Sequence, residues 1–435
     1  MRRGGLGLAM VLLVASRASA QTDAPADAAE PINDSQGYTP PAEGAGAPSP
    51  LVINGYVDVG FAKAQGNGTS FAPGDQRVPA DYGVDPFAPA VNSRGDVAST
   101  DAGGRFVNGF LPRSAGIGGN ASFLLNTLDV DLKYTPAATP LMVFSRVQLL
   151  PRFTGAGDDT RVYVEQAFGR WVPFESQELA LSVGKFDSVF GIEYLDNESN
   201  IRTGVTPSLV ARYTTGQSLG AKLFYRIQLP AIWSAVSLNL AATNSGTFVE
   251  ALQPPDASLT GAPVGSGRLG YELNAAAVQV KLGASGMFGP RNDQGQQAVH
   301  QRAFGLDARV AFHGIYLSAE YVRVDEGEGG PKTTSLGTFP LASGFWVRGG
   351  YGQLAYALPW SIGLLHKLTV YGRYDRRHAW FQGFTPITVD RFTGGVRLDL
   401  GDSVLLKAEY VANRELAGAP AVANNVFTSS LVYSF

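Results

Sequence analysis

The 435-residue chain has no cysteine. That excludes a disulfide scaffold, a thiolate metal site, a thiol nucleophile and a lipid anchor attached through cysteine. Histidine is almost as scarce, with only His300, His313, His366 and His378. No HExxH pair, GxSxG nucleophile elbow, P-loop or GxGxxG dinucleotide fingerprint is recognised around them or elsewhere. Beyond the first twenty residues no apolar run approaches the ~20 residues a spanning helix needs. A basic excess is missing too: the net charge is −3, without the positive stripe of a nucleic-acid binder. The expectation is a non-enzyme with no cofactor, no metal site and no nucleic-acid partner.

What is present begins with a leader. Arg2 and Arg3 precede an apolar stretch from Leu6 to Ala15, and Ala18-Ser19-Ala20 supplies small residues for cleavage. Residues 1–20 read as a secretory signal peptide, so the chain is expected to cross the inner membrane and lose it. Loss of Arg2, Arg3 and Arg17 takes the net charge from −3 to −6. Residues 21–50 are rich in Ala, Pro and Gly without periodicity and read as a disordered periplasmic segment.

From residue 51 onward the text alternates with period two, as strands do. Sixteen candidate strands start near residues 52, 121, 140, 160, 178, 216, 231, 267, 277, 302, 314, 344, 366, 388, 403 and 424. In Leu128-Val130-Leu132-Tyr134 and Phe304-Leu306-Ala308-Val310-Phe312 the intervening positions include Asp129, Asp131, Asp307 and Arg309. A soluble sandwich alternates in the same way, so connector length has to decide. Short connectors such as Pro136–Thr139, His313-Gly314 and Gly401-Asp402 interleave with long ones such as Ala64–Asn120, Asp187–Thr215 and Ser245–Ser266. Short periplasmic turns and long outer loops are the habit of transmembrane barrels. Trp171, Trp233 and Trp360 fall beside short turns, and Trp346 and Trp380 beside long loops, fitting two interfacial girdles. The predicted fold is an all-β, antiparallel transmembrane barrel of about sixteen strands over residues 51–435.

A barrel of that size is too wide for side chains to fill. The expected pore-lining residues are Arg146, Arg161, Glu165, Lys222, Arg226, Asp307, Arg309, Glu320, Arg373, Arg397, Lys407 and Glu409. In a packed core these charges would be costly, whereas lining water they set ion preference. Basic residues slightly outnumber acidic ones, which points to weak anion preference.

Two segments carry family resemblances. Leu431, Tyr433 and Phe435 share one face of the last strand. This resembles the closing strand of bacterial outer-membrane barrels, which end on phenylalanine, and it implies recognition by the barrel assembly machinery. The stretch from Leu181 through Gly184-Lys185-Phe186 and Val189-Phe190-Gly191-Ile192-Glu193 continues to Asn200-Ile201-Arg202-Thr203-Gly204 and Thr214-Thr215-Gly216. It is similar to OmpL-like porins and their phosphate-selective relatives, although Val189 replaces their proline and the Thr before Arg202 is missing. The resemblance implies a Gram-negative outer-membrane porin passing small hydrophilic solutes or ions, surrounded by outer-membrane lipids. By analogy with other sixteen-stranded porins it implies a homotrimer. It also implies an inward-folding third loop, with Asp196, Glu198 and Arg202 as the charged constriction and Lys222 and Arg226 facing it. The alternative is a non-conducting structural or adhesin barrel presenting its long loops.

Overall fold

The computed structural model describes residues 50–64, 97–100, 106–111, 121–136, 139–149, 162–174, 178–230, 233–244, 263–275, 277–290, 300–327, 332–334, 337–339, 345–358, 361–381, 386–416 and 425–435. The expected leader, residues 21–49 of the segment that follows it and Arg161 lie outside them.

Sixteen antiparallel strands close into one barrel. In chain order they are β1 (Leu51–Ala64), β2 (Ala121–Tyr134), β3 (Leu141–Leu149), β4 (Val162–Trp171), β5 (Leu179–Asp187), β6 (Gln217–Leu229), β7 (Ser234–Thr243) and β8 (Val264–Ala275). They continue with β9 (Val278–Pro290), β10 (His300–Phe312), β11 (Ile315–Glu326), β12 (Phe345–Leu358), β13 (Leu365–Phe381), β14 (Ile387–Leu400), β15 (Val404–Glu415) and β16 (Val426–Ser434). Each begins within three residues of its expected start. Two further two-stranded sheets, Val97–Thr100 with Phe106–Leu111 and Lys332–Thr334 with Gly337–Phe339, lie in connectors.

Every strand pairs with its sequence neighbours, and β1 closes on β16, Tyr56 opposite Ser434 and Val59 opposite Leu431. Closure leaves no strand of the barrel as a free outer edge. At the seam Phe435 exchanges two backbone hydrogen bonds with Gly55, both 3.0 Å. A Cβ on Gly55 would lie 2.6 Å from the Phe435 ring, so this approach needs glycine. β8 and β9 are joined by a tight hairpin with Ala275 opposite Val278.

Alternation sorts the faces. Leu132, Leu240, Leu306, Leu354, Phe392, Leu431 and Tyr433 point outward and are exposed, whereas Asp129, Asn239, Asp307, Asp375, Lys407 and Ser430 point inward and are buried. Trp346 and Trp380 stack across β12 and β13 with centroids 6.5 Å apart. The letters of GxSxG and GxGxxG do occur, at Gly216–Gly220 and Gly265–Gly270. Both belong to strands β6 and β8 with no helix following, so neither has the strand–turn–helix context that gives those motifs their chemistry. Among the described residues no helix is long and apolar enough to cross a membrane.

Candidate functional site: the lumen and the segment it holds

The connector from β5 to β6, residues 188–216, bonds to side chains on β1, β3, β9, β10, β11, β13, β14 and β15. One segment can reach opposite sides of a closed ring only from within. It therefore lies inside the barrel, where irregular backbone has no strand to pair with and must find other partners.

The first arm enters through Gly191, whose φ of +80° is the left-handed region that favours glycine. Its N–H donates to Ser285 Oγ at 3.0 Å, and the Ile192 N–H donates to Glu320 Oε1 at 2.8 Å. A Cβ on Gly191 would stand 2.2 Å from that same oxygen. A 3-10 turn, Glu193–Asp196, follows, and Arg309 bonds to both Asp196 oxygens, at 3.3 Å through Nη1. At the far wall Glu198 accepts from Tyr56 OH and pairs with Arg146 Nη1, each at 2.6 Å, while Ser199 Oγ donates to Asp58 at 2.5 Å.

The second arm is held mainly by its backbone. Val205 and Thr206 N–H groups donate to the two oxygens of Glu409, both at 2.8 Å. Lys407 Nζ donates to the carbonyls of Ser199 at 2.6 Å and Gly204 at 3.1 Å. Arg373 donates to the Thr206 and Pro207 carbonyls, both at 2.8 Å, and Arg397 to Ile201 O at 2.8 Å. Charges on the wall thus replace the missing ladder: carboxylates take amide protons and cations take carbonyls, each bond strengthened by its charge. The arms are tied together by Glu193, which accepts from the Ser208 N–H at 2.7 Å and from its hydroxyl. Burial pushes the Glu193 carboxyl above its ordinary value, although nearby Arg373 and the Ser208 bonds pull the other way.

The expected site residues divide accordingly. Arg146, Arg309, Glu320, Arg373, Arg397, Lys407 and Glu409 converge on the segment, and Asp196 and Glu198 meet wall cations. Arg202 is an internal brace instead, donating to Asn197 O at 2.7 Å and Val205 O at 2.6 Å. The expectation that Lys222 and Arg226 face this trio is corrected for Arg226. Lys222 sits over the Phe186 ring at 5.1 Å, and Arg226 pairs with Glu272 on β8 at 2.5 Å. The trio's own partners lie on β1, β3, β10, β14 and the segment itself. Asp307 forms a bidentate pair with Arg268, at 2.7 and 3.0 Å, within the wall. Glu165 accepts from Gln148 at 2.8 Å and Gln217 at 2.9 Å. A register shift after Arg146 lets Glu165 and Gln166 both turn inward.

Several participants were missed. Tyr56, Asp58 and Asp129 were legible as the inward set of β1 and β2. Arg377, which donates to Tyr213 OH at 2.9 Å, and Tyr371, which donates to Glu409, follow the parity of Arg373. Oxygens of Asp129, Glu165 and Glu198 lie within 4.8 Å of one another, a set of hard ligands of the kind a divalent cation takes. Here those carboxylates accept from Thr127, Gln148, Gln217, Tyr56 and Arg146.

No protein-family model and no curated protein matches the chain. Solved structures do. OmpT, an outer membrane protein of Vibrio cholerae, is 9% identical over 89% of this chain and 99% of its own, with a TM-score of 0.45. The outer membrane channel DcaP of Acinetobacter baumannii is 11% identical over 88% and 97%, at 0.49. OmpF of Salmonella typhi, solved with daunomycin, has the same identity, coverage and score.

Proposed function

We propose that this protein is an outer-membrane porin, a passive channel for small hydrophilic solutes or ions, narrowed by the segment 188–216. The observation that carries the reading is the pairing of an apolar exposed exterior with a charged interior in a sixteen-stranded closed barrel. Such a wall suits lipid outside and an aqueous path inside. Asp196, Glu198 and Arg202 then act as part of the constriction, although Arg202 does so by stiffening it. On the lumen face of β13–β15, Arg373, Arg377, Arg391, Arg397 and Lys407 outnumber Asp375, Asp399 and Glu409, which supports weak anion preference. The OmpL-like and phosphate-selective group is proposed from the Leu181–Gly216 resemblance alone.

In this reading residues 1–20 are removed on export, and Leu431, Tyr433 and Phe435 present the closing strand to the assembly machinery. Single-channel recording of refolded protein in a planar bilayer tests it: discrete steps are expected, with reversal potential shifted slightly toward anions. A second reading has an observation in its favour. Asp375, Arg391 and Lys407 are fully buried at the height of the segment, as they would be in a non-conducting structural or adhesin barrel. A silent bilayer, followed by steps once 197–206 are shortened, would assign the closed state to the segment. Silence in both would favour that second reading.

A further inference from the structure

Among the described residues the outward-facing arginines of the barrel are gathered in one place. Near the rim of the long connectors, the described outward positions of β1–β9 include Phe61, Ala242, Gly265 and Phe288, and no arginine faces out there among the described residues. At the same height β10–β15 present Arg302, Arg323, Arg348, Arg376 and Arg414, all exposed. Register makes them neighbours: Arg323 lies opposite Arg348, Arg348 opposite His378, and Asp390 opposite both Arg376 and Arg414. Asp325 bonds to Arg323 at 2.9 Å and approaches Arg302 at 3.7 Å, and Asp390 approaches Arg376 at 3.3 Å. Two carboxylates face five guanidiniums. Like charges directly opposite one another destabilise a sheet, and arginine on a lipid-facing wall is costly away from the interface. A concentration of this kind calls for an external anion.

The wall beneath sinks into two adjoining depressions of about 690 and 650 Å³ that share Gly352 and Tyr374. Gly352 and Gly394 have nothing within 4 Å of where a Cβ would be. Leu354, Tyr374, Phe392 and Tyr410 rise around this floor, and Arg348, Arg376 and His378 line the depression nearer the rim. Arg348 lies 5.1 Å from the ring centroid of Trp346, which marks the interfacial height.

We infer that this face binds the phosphorylated glycolipid of the outer leaflet, with phosphates on Arg323, Arg348 and Arg376 and acyl chains in the depressions. The inference rests on the outer-membrane placement proposed above, with the long connectors outward, and not on conductance. Arginine suits phosphate because its planar fork bonds two oxygens at once. From β11 to β13 the row spans about 10 Å, a reach that matches two phosphates on a disaccharide better than the single one of a glycerophospholipid.

The test titrates full-length protein in detergent with bisphosphorylated lipid A, fully dephosphorylated lipid A and phosphatidylglycerol, read by native mass spectrometry. The bisphosphorylated form should bind about tenfold more tightly than either other lipid. Replacing Arg323, Arg348 and Arg376 together by Gln should reduce it to the dephosphorylated level, with heat-modifiable migration and conductance as in the parent. Equal binding of the first two lipids by the unaltered protein overturns the proposal without any variant. So does equal binding of phosphatidylglycerol, which would mean an unselective basic surface. Cross-links between copies through this face would assign it to a second copy of the chain and also overturn it. A protein that selects the lipid yet never conducts keeps this inference and removes the channel reading.

Discussion

The wall and the segment it encloses are held by opposite means. In the wall the backbone is satisfied mainly by neighbouring strands, so side chains need only choose a face, and many sequences would serve. Between residues 188 and 216 the backbone partners are largely side chains, each at one position: Glu409 for two amides, Lys407 for two carbonyls, Arg373 for two more. The wall is therefore insensitive to detail and sensitive to polarity, while the segment is sensitive to detail. It also follows that the segment can be released without opening the barrel.

The largest expected effect breaks the wall. Leu306→Arg, at an exposed apolar position on β10, should cost about 2–4 kcal/mol near the bilayer midplane, read by urea unfolding from lipid vesicles. A cost near zero would mean that this face does not meet lipid. Glu409→Ala acts on the other side of the comparison. It strips the acceptor from the Val205 and Thr206 amides, about 1–3 kcal/mol of local hold, and should leave the unfolding midpoint nearly unchanged. Trypsin should then cut after Arg202, and conductance should rise. Continued protection at Arg202, with the barrel intact, would show that the segment does not depend on this carboxylate.

The same contrast explains what could be read in advance. Strand positions were legible because period-two alternation repeats: Leu306, Ala308 and Val310 against Asp307 and Arg309 suffice to assign two faces. The inward charges were legible for the same reason. Their partners were not. Glu409 lies some two hundred residues from Val205 in sequence, and no local pattern links an acid on a late strand to two amides in an early connector. Arg202 illustrates the limit. Its charge in a long connector suggested a channel-facing role, yet its reach back to Asn197 and Val205 depends on a turn that only the docked conformation defines. Arg226 fails likewise, because facing inward does not say which inward neighbour wins, and Glu272 lies two strands away along the wall.

A smaller effect sharpens the comparison within the segment. Gly191→Ala places a Cβ against Glu320 in a left-handed backbone, a strain of about 1–3 kcal/mol. Gly204 carries no left-handed angle, although a Cβ there would meet Tyr371 OH at 2.7 Å. Gly191→Ala should loosen the first arm, seen as faster hydrogen exchange at Ile192, with the wall amides unchanged. Equal exchange in parent and variant would show that the arm repacks around the methyl group.

The smallest effect is a pH dependence carried by Glu193, and its sign can be worked out. Burial raises this carboxyl above its ordinary value of 4.5, whereas in a released segment it would meet water and return toward that value. The docked state therefore holds the proton more tightly than the released one. Its advantage is complete below the ordinary value and declines as pH rises through the window between the ordinary and the raised value. Acid should hence tighten docking and lower conductance across that window, by no more than a few-fold. Glu193→Gln, which keeps an acceptor for Ser208 but cannot titrate, should flatten the slope while other lumen carboxylates continue to titrate. The decisive quantity is thus the difference between parent and variant. An identical slope in both would move the titration to another carboxylate, and a parent whose conductance rises in acid would show that the charged form of Glu193 is the one that holds the arms together.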